Sequence, residues 1–234
     1  QLDGEGLKIT NDAKFDTSGC PLVIYQGIAM QRCHGYELIT DLDFDTNQDG
    51  LINSDDAYWN NRSGWDGIGK ASNPFSATFE GNGYLIRNLF ISRGNHQGLF
   101  GYTDKAVIRN VGLTGPLMQV KGGKYVGSLI GEARLTTILN VFNTGRVTGY
   151  SFDVGGIVGV LSDSSLINSF NTGRIKAETQ VGGLVGKIDS SISEVAVVRN
   201  SYNTGWVSST DINHSSGALG GLIAVHGANS NLLL

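Results

Sequence analysis

The sequence predicts an all-β protein: a right-handed parallel β-helix over residues 69–234, closed by an N-terminal cap over residues 1–68. Three observations lead there. A glycine signature and an asparagine signature recur in pairs, they recur at a nearly fixed interval, and no stretch shows the 3.6-residue period of a helix.

The glycine signature reads "GLFG" (98–101), "GSLIG" (127–131), "GGIVG" (155–159), "GGLVG" (182–186) and a decayed "GGLIA" (220–224). The second signature reads "IRNVGLTG" (108–115), "ILNVFNTGRV" (138–147), "LINSFNTGRI" (166–175) and "VRNSYNTGWV" (198–207). Asn110, Asn140, Asn168 and Asn200 stand 30, 28 and 32 residues apart. A period of roughly 20 to 50 residues marks solenoids, propellers or arrays. Each unit holds short β-branched stretches such as "SLINSF" and "GRIKA" joined by Gly, Ser, Asn and Thr, which excludes helical repeats. A propeller blade needs about 40 residues or more, longer than these units. A coil of two or three short strands remains.

Equivalent residues of stacked coils lie one strand spacing apart, about 4.8 Å. The four asparagines are therefore expected to form an internal ladder, amide to amide. They also suit turns, because asparagine tolerates a left-handed backbone. The recurrent glycines are expected at turn positions of positive φ. No helix follows "GGLVG" to offer its N-terminus to a phosphate, so a nucleotide site is not expected.

Composition agrees. With 34 glycines in 234 residues, the glycine share is roughly twice the usual one, while three prolines exclude collagen and proline-rich linkers. Hydrophobic residues make up 40% of the chain, enough for a packed core. The net charge of −4, from 17 basic and 21 acidic side chains, argues against nucleic acid. No apolar run reaches the ~18 residues that span a membrane, so membrane insertion is not expected. A chain that opens on Gln1, with no charged-then-apolar leader, is expected to be a processed or excised piece, which fits secretion. In an oxidising compartment Cys20 and Cys33 are expected to pair, a closure worth about 3 kcal/mol; in a reducing one they are buried thiols.

Residues 45–61, "DTNQDGLINSDDAYWNN", have the order of a calcium loop. Asp45, Asn47, Asp49, Asn53 and Asp56 fall at positions 1, 3, 5, 9 and 12, Gly50 at the sharp turn, and Leu51 where a backbone carbonyl ligates. Ca2+ is the expected cofactor. An ion-free Asp/Asn-rich turn is the alternative. Asp56 stands where an EF-hand has glutamate and resembles the loop of dockerin modules instead. A single loop after the strand-like "YELITDLDF" lacks the paired helices of a sensor, so the ion is expected to fasten the entry to the first coil. Dockerin modules carry two loops, so cohesin binding does not carry over.

The recurring "VGGIVG" and "VGGLVG", followed by "NSFNTGRI" and "NSYNTGWV", resemble the GLUG-motif repeats of bacterial surface and secreted proteins, adhesins and large extracellular proteases among them. The likeness covers roughly residues 98–234, and "GWDGIG…NPFSATFEGNGYLIRNLFI" (64–91) resembles the stretch that precedes such repeats. The resemblance implies a β-solenoid in an extracellular or cell-surface setting. It does not imply one biochemical activity.

Catalysis needs constellations that the repeat does not supply. A glycosidase sets two carboxylates about 5 to 9.5 Å apart. Three residues after each glycine signature the column reads Asp104, Arg134, Ser162, Asp189, which places its acids about 14 Å apart. Glu132, Asp153, Asp163 and Glu178 fall at unlike offsets and read as solvated surface charge. His34, His96, His214 and His226 lack metal spacing, and no Gly-x-Ser-x-Gly elbow occurs. No catalytic residue is therefore assigned. Trp59 and Trp65, beside the loop, read as packing or as sugar contacts. Trp206 takes the column position of Arg146 and Arg174 and points outward if Val207 points in.

Departures from the repeat mark candidate binding loops. The spacing from glycine to asparagine signature is nine residues in three repeats and fourteen between Gly186 and Asn200; a second lengthening spans 207–218. Trp206, Asp211 and His214 form the candidate binding surface. The expected role is that of a noncatalytic extracellular module for adhesion or rigid spacing, taking a cell-surface glycan or protein as ligand. The rivals are a polysaccharide-active enzyme, lyase or glycosidase, and a structural subunit that self-associates by coil stacking.

Overall fold

The structure, a computed structural model, describes residues 22–25, 28–31, 35–191, 195–210, 218–227 and 231–233. It is all-β, with parallel strands stacked into a β-solenoid of about four turns. Cys20 and Cys33, and with them the expected disulfide, lie outside the described residues.

Each coil lays down three main faces. The first follows the glycine signature and stacks Phe100–Asp104, Ile130–Arg134, Val158–Ser162, Val185–Ile188 and Ile223–His226. The second carries the asparagine signature, in Val107–Thr114, Thr137–Asn143, Ser165–Ile167 with Phe170–Asn171, and Val195–Arg199 with Tyr202–Asn203. The third follows the Thr-Gly pair and stacks Phe90–Ser92, Gln119–Gly122, Arg146–Gly149, Ile175–Ala177 and Val207–Ser209. Parallel pairing on the second face already includes Gly35–Glu37 and Leu42–Asp43, which pair with Thr78–Glu80 and Leu85–Arg87. An antiparallel pair, Leu22–Tyr25 with Ile28–Gln31, stands ahead of it.

The core is a set of columns filled by the same residue type. Ile130, Val158 and Val185 pair in register on the first face, and Ile108, Ile138, Leu166 and Val198 on the second. Val120, Val147 and Ile175 line the third. All are buried, and each such side chain contributes roughly 1.5–3 kcal/mol by leaving water. Stacking aromatic residues adds to this on the outside. Phe142 lies on Phe170 at 5.0 Å and 4°, and Phe170 on Tyr202 at 5.2 Å and 5°. Gly112 holds the same register position one coil earlier, where a Cβ would run into the Phe142 ring.

The structure corrects the expected role of the glycines. Among the described glycines a left-handed φ occurs at Gly50, Gly64, Gly69, Gly83 and Gly115, none of them in a glycine signature. The signature glycines serve close approach instead. A Cβ on Gly155 would meet the Val158 carbonyl oxygen, and one on Gly186 would meet the backbone of Asp153 in the preceding coil. The left-handed corners fall to His96, Tyr125, Asp153 and Gln180 ahead of the first face, and to Asn110, Asn140, Asn168 and Asn200.

The asparagine ladder exists, but on the outside. Asn140 Nδ2 donates to Asn110 Oδ1 at 2.8 Å, and the series continues from Asn168 to Asn140 and from Asn200 to Asn168, both at 3.2 Å. These residues are largely exposed and left-handed, so they are ladder and turn former at once. The internal ladder belongs to the asparagine three residues on. Asn143 Nδ2 donates to Asn171 Oδ1, and Asn171 Nδ2 to Asn203 Oδ1, each at 2.7 Å. Asn143 and Asn171 are fully buried. Each also brackets its own turn: the Asn171 amide donates to the Gly173 carbonyl at 3.0 Å and accepts from the Gly173 N–H at 3.2 Å.

The two ladders therefore differ in energetic weight. Asn171→Ala strands buried groups in two coils and one turn and is expected to cost about 2–4 kcal/mol. Asn168→Ala loses exposed bonds and accepts a left-handed φ, at about 1 kcal/mol. Denaturant melts of both variants measure the difference; equal costs contradict the assignment.

Candidate functional site

The calcium-type loop is anchored in an aromatic cluster that follows the strand Leu42–Asp43. Phe44, just ahead of it, is buried and donates its N–H to the Arg87 carbonyl at 3.0 Å. Its ring packs on Tyr58 at 5.2 Å and Trp65 at 5.6 Å, both past the last expected ligand position at Asp56, so the two ends of the 45–56 stretch are held together. Within the loop, Gln48 and Gly50 take left-handed φ. Asp45 Oδ1 accepts the Asp49 N–H at 3.2 Å and Oδ2 the Gly50 N–H at 3.0 Å. Asp56 accepts the Thr46 N–H at 2.7 Å and the Asn53 N–H at 2.9 Å. Asn47 and Asn53 both converge on Asp49 Oδ2, at 3.1 and 3.2 Å.

The residue set fits a hard cation in one respect. Asp45 and Asp56 are only 7% and 5% exposed, and neither is in an ion pair within the described residues. Burying carboxylates without a cation is costly unless they gain strong hydrogen bonds or a metal. Among the described residues no group of three His, Cys, Asp or Glu side chains stands close enough to hold a metal. An ion here would draw on the asparagine oxygens and the Leu51 carbonyl as well as on carboxylates.

The other residues named from sequence fall as follows. Trp59 stacks on Phe90 at 5.6 Å, and Trp65 donates its Nε1–H to the Leu99 carbonyl at 3.1 Å, so both pack against the first coils. Trp206 is 64% exposed, with the Arg174 guanidinium 4.5 Å from its ring centre. Asp211 and His214 lie outside the described residues, as do 192–194 in the first lengthened loop. Asp104, Arg134 and Ser162 share a register column, and Arg134 faces Asp104 at 3.8 Å.

One cluster was missed by sequence reasoning. His96 Nε2 stands 3.1 Å from Glu132 Oε2, and the His96 ring lies 4.8 Å from Tyr125 and 6.3 Å from Tyr102. Burial and the Glu132 charge push the Tyr102 hydroxyl up. The register neighbours of Glu132 are Tyr102 and Val160, so its column holds no second carboxylate one coil away. Asp153, read from sequence as solvated, is only 3% exposed, and its Oδ1 has no hydrogen-bond partner. Burial, more than any neighbour, pushes its carboxyl up to about 6; Lys187 and Lys124 pull it back, while Asp189 and Glu132 push it further. The left-handed corner that turns Asp153 inward is invisible in a linear alignment of acids.

No family model matches the chain, and no solved structure matches it. Over 73 residues, 30% of its length, the chain is 42% identical to a Gly-rich membrane protein of Evansella cellulosilytica. Over 83 residues, 33% of its length, it is 42% identical to Halomucin of Haloquadratum walsbyi. The chain spans 8% of the first relative and 1% of the second. Among the described residues no helix is long and apolar enough to cross a membrane.

Asp153 makes a pH prediction. Its folded-state affinity for a proton is raised above the unfolded one, so the charged form opposes folding; the penalty is absent below about pH 4 and complete above about pH 6. Asp153→Asn should therefore stabilise the fold by about 1–3 kcal/mol at pH 8 and have little effect at pH 4. Melting curves across that range measure it, and a gain that is independent of pH contradicts it.

Proposed function

We propose that the chain is a noncatalytic structural module of an extracellular surface or secreted protein, a rigid solenoid that spaces and presents binding surfaces for adhesion. The observation that carries this reading is how the repeated side chains are used. The asparagines bond to one another, the aromatic residues stack and the glycines admit neighbouring backbone, so the positions that recur are consumed in holding coils together. The resemblance of the repeated motifs to GLUG repeats, read from the sequence alone, agrees with it. So do the two relatives, one named as a Gly-rich membrane protein and the other as Halomucin.

In this reading Ca2+ is held by Asp45, Asn47, Asp49, the Leu51 carbonyl, Asn53 and Asp56, and locks the cap to the first coil. Trp206 is an aromatic contact for ligand, with Asp211 and His214 beside it in sequence. Calcium at about a hundred times its dissociation constant should stabilise the fold by about 2.7 kcal/mol, and the paired change Asp45→Asn, Asp56→Asn should abolish that gain. Calorimetry with no calcium heat at millimolar concentration sinks the metal assignment. On an array of neutral and anionic glycans the chain should bind without cleaving. Turnover of a polysaccharide that is lost on changing one pair of carboxylates would replace this reading with the enzyme.

A further inference from the structure

The third face carries charge of the opposite sign to the chain as a whole. The net charge is −4, yet one outward column of this face runs Gln119, Arg146, Arg174, Trp206 through successive coils. The neighbouring column carries Lys121 and Lys176 on either side of Thr148. Among the described residues of this face the one acid is Glu178, at the rim beyond Lys176. Among the described residues elsewhere, Arg87 faces Asp41, Arg93 faces Asp66, Arg109 faces Glu80 and Lys187 faces Asp189, while Arg62, Lys105, Lys124 and Arg199 stand singly at scattered positions rather than in one column. Among the described residues none of Lys121, Arg146, Arg174 and Lys176 forms such a pair.

Arg146 stands beside Arg174 across one coil step. Like charges in directly neighbouring strand positions are destabilising, so the Arg146–Arg174 step itself does not favour the fold. The arginines also border a cleft of about 400 Å³, lined by Gly115, Met118, Gln119 and Thr144 among others. The cleft has a sequence cause. The segment from Thr114 to Gln119 is three residues longer than the matching one from Thr144 to Arg146, and the surplus at Gly115–Leu117 lines the cleft together with Thr144, Arg146 and Arg174 of the next two coils. At the far end the Arg174 guanidinium lies over the Trp206 ring, and the indole remains largely open.

We propose that this face binds an acidic polysaccharide, a linear chain of sugars bearing carboxylate or sulfate groups, laid across the coils along the solenoid axis. The inference rests on the reading of the chain as a surface-presented binding module. Guanidinium forks at one-strand spacing, about 4.8 Å, match a polymer with an anion on each successive sugar. Gln119 and Thr144 supply neutral partners for hydroxyl groups, and Trp206 supplies an apolar platform for the carbon face of a sugar ring. A single-stranded nucleic acid would need a series of aromatic platforms, and the face has one.

The test is retention of the full chain on immobilised polygalacturonate, heparin, neutral dextran and a single-stranded oligonucleotide, at several salt concentrations. Binding to polygalacturonate, to heparin or to both, weakening with salt and absent on dextran, is expected; the two arms separate carboxylate from sulfate as the anion recognised. The double variant Arg146→Ala, Arg174→Ala should weaken binding about tenfold or more, with an unchanged melting curve. Lys105→Ala with Arg199→Ala, exposed cations off this face, should leave binding as it is. Equal losses in the two double variants, or tighter retention on the oligonucleotide than on either polysaccharide, overturn the proposal. Retention on dextran alone also overturns it, while the surface-module reading stands.

Discussion

A parallel β-solenoid imposes one demand on every residue: its side chain must tolerate a copy of its own environment one strand spacing above and below. Charged side chains fail that demand inside a coil, because like charges repel at about 4.8 Å. Asparagine meets it, since its amide donates on one side and accepts on the other. Asn143, Asn171 and Asn203 form such a series in the interior, and the same amides close the turn at Gly145, Gly173 and Gly205. Flat rings meet it too, as Phe142, Phe170 and Tyr202 do outside. A change in one coil is therefore felt in both neighbours.

The same demand sorts functional features away from the repeating positions. The calcium-type loop is an excursion that follows the strand Leu42–Asp43, held by Phe44, Tyr58 and Trp65 rather than by coil stacking. The cleft beside Arg146 exists because one coil carries a surplus at Gly115–Leu117. Asp153 is a buried carboxyl with an unpartnered oxygen at a corner whose other occupants are His96, Tyr125 and Gln180. In each case the side chain of interest stands where the copies above and below differ from it.

Cations on the third face are the exception, since Arg146 and Arg174 do repeat. Their mutual repulsion is softened by solvent, because both are exposed. An outward column tolerates like charges that an inward one does not, and an external polyanion converts that tolerated repulsion into attraction. This separates the stabilising columns, which are satisfied within the chain, from a column left open to the polyanion proposed above.

The sequence by itself determined the period, the parallel β class and the outward aspect of Trp206, because these follow from spacing and from alternation along a strand. It also marked which residues recur. Tertiary structure decided which way each recurring residue faces. The "NSFN" stretch offers two asparagines three residues apart, and only the coil's turn puts Asn171 inside and Asn168 out. The glycines of "GGIVG" and "GGLVG" look like turn formers, but the neighbouring coil's backbone, not a positive φ, is what requires them. Asp153 looked like a surface acid until a left-handed corner placed it under its neighbours. The basic face joins Lys121, Arg146, Arg174 and Lys176 from three separate coils, a convergence that registers only once the strands are paired. Shifting a strand by one residue would send each of these side chains to the opposite face, and register is a property of the assembled stack rather than of any one repeat.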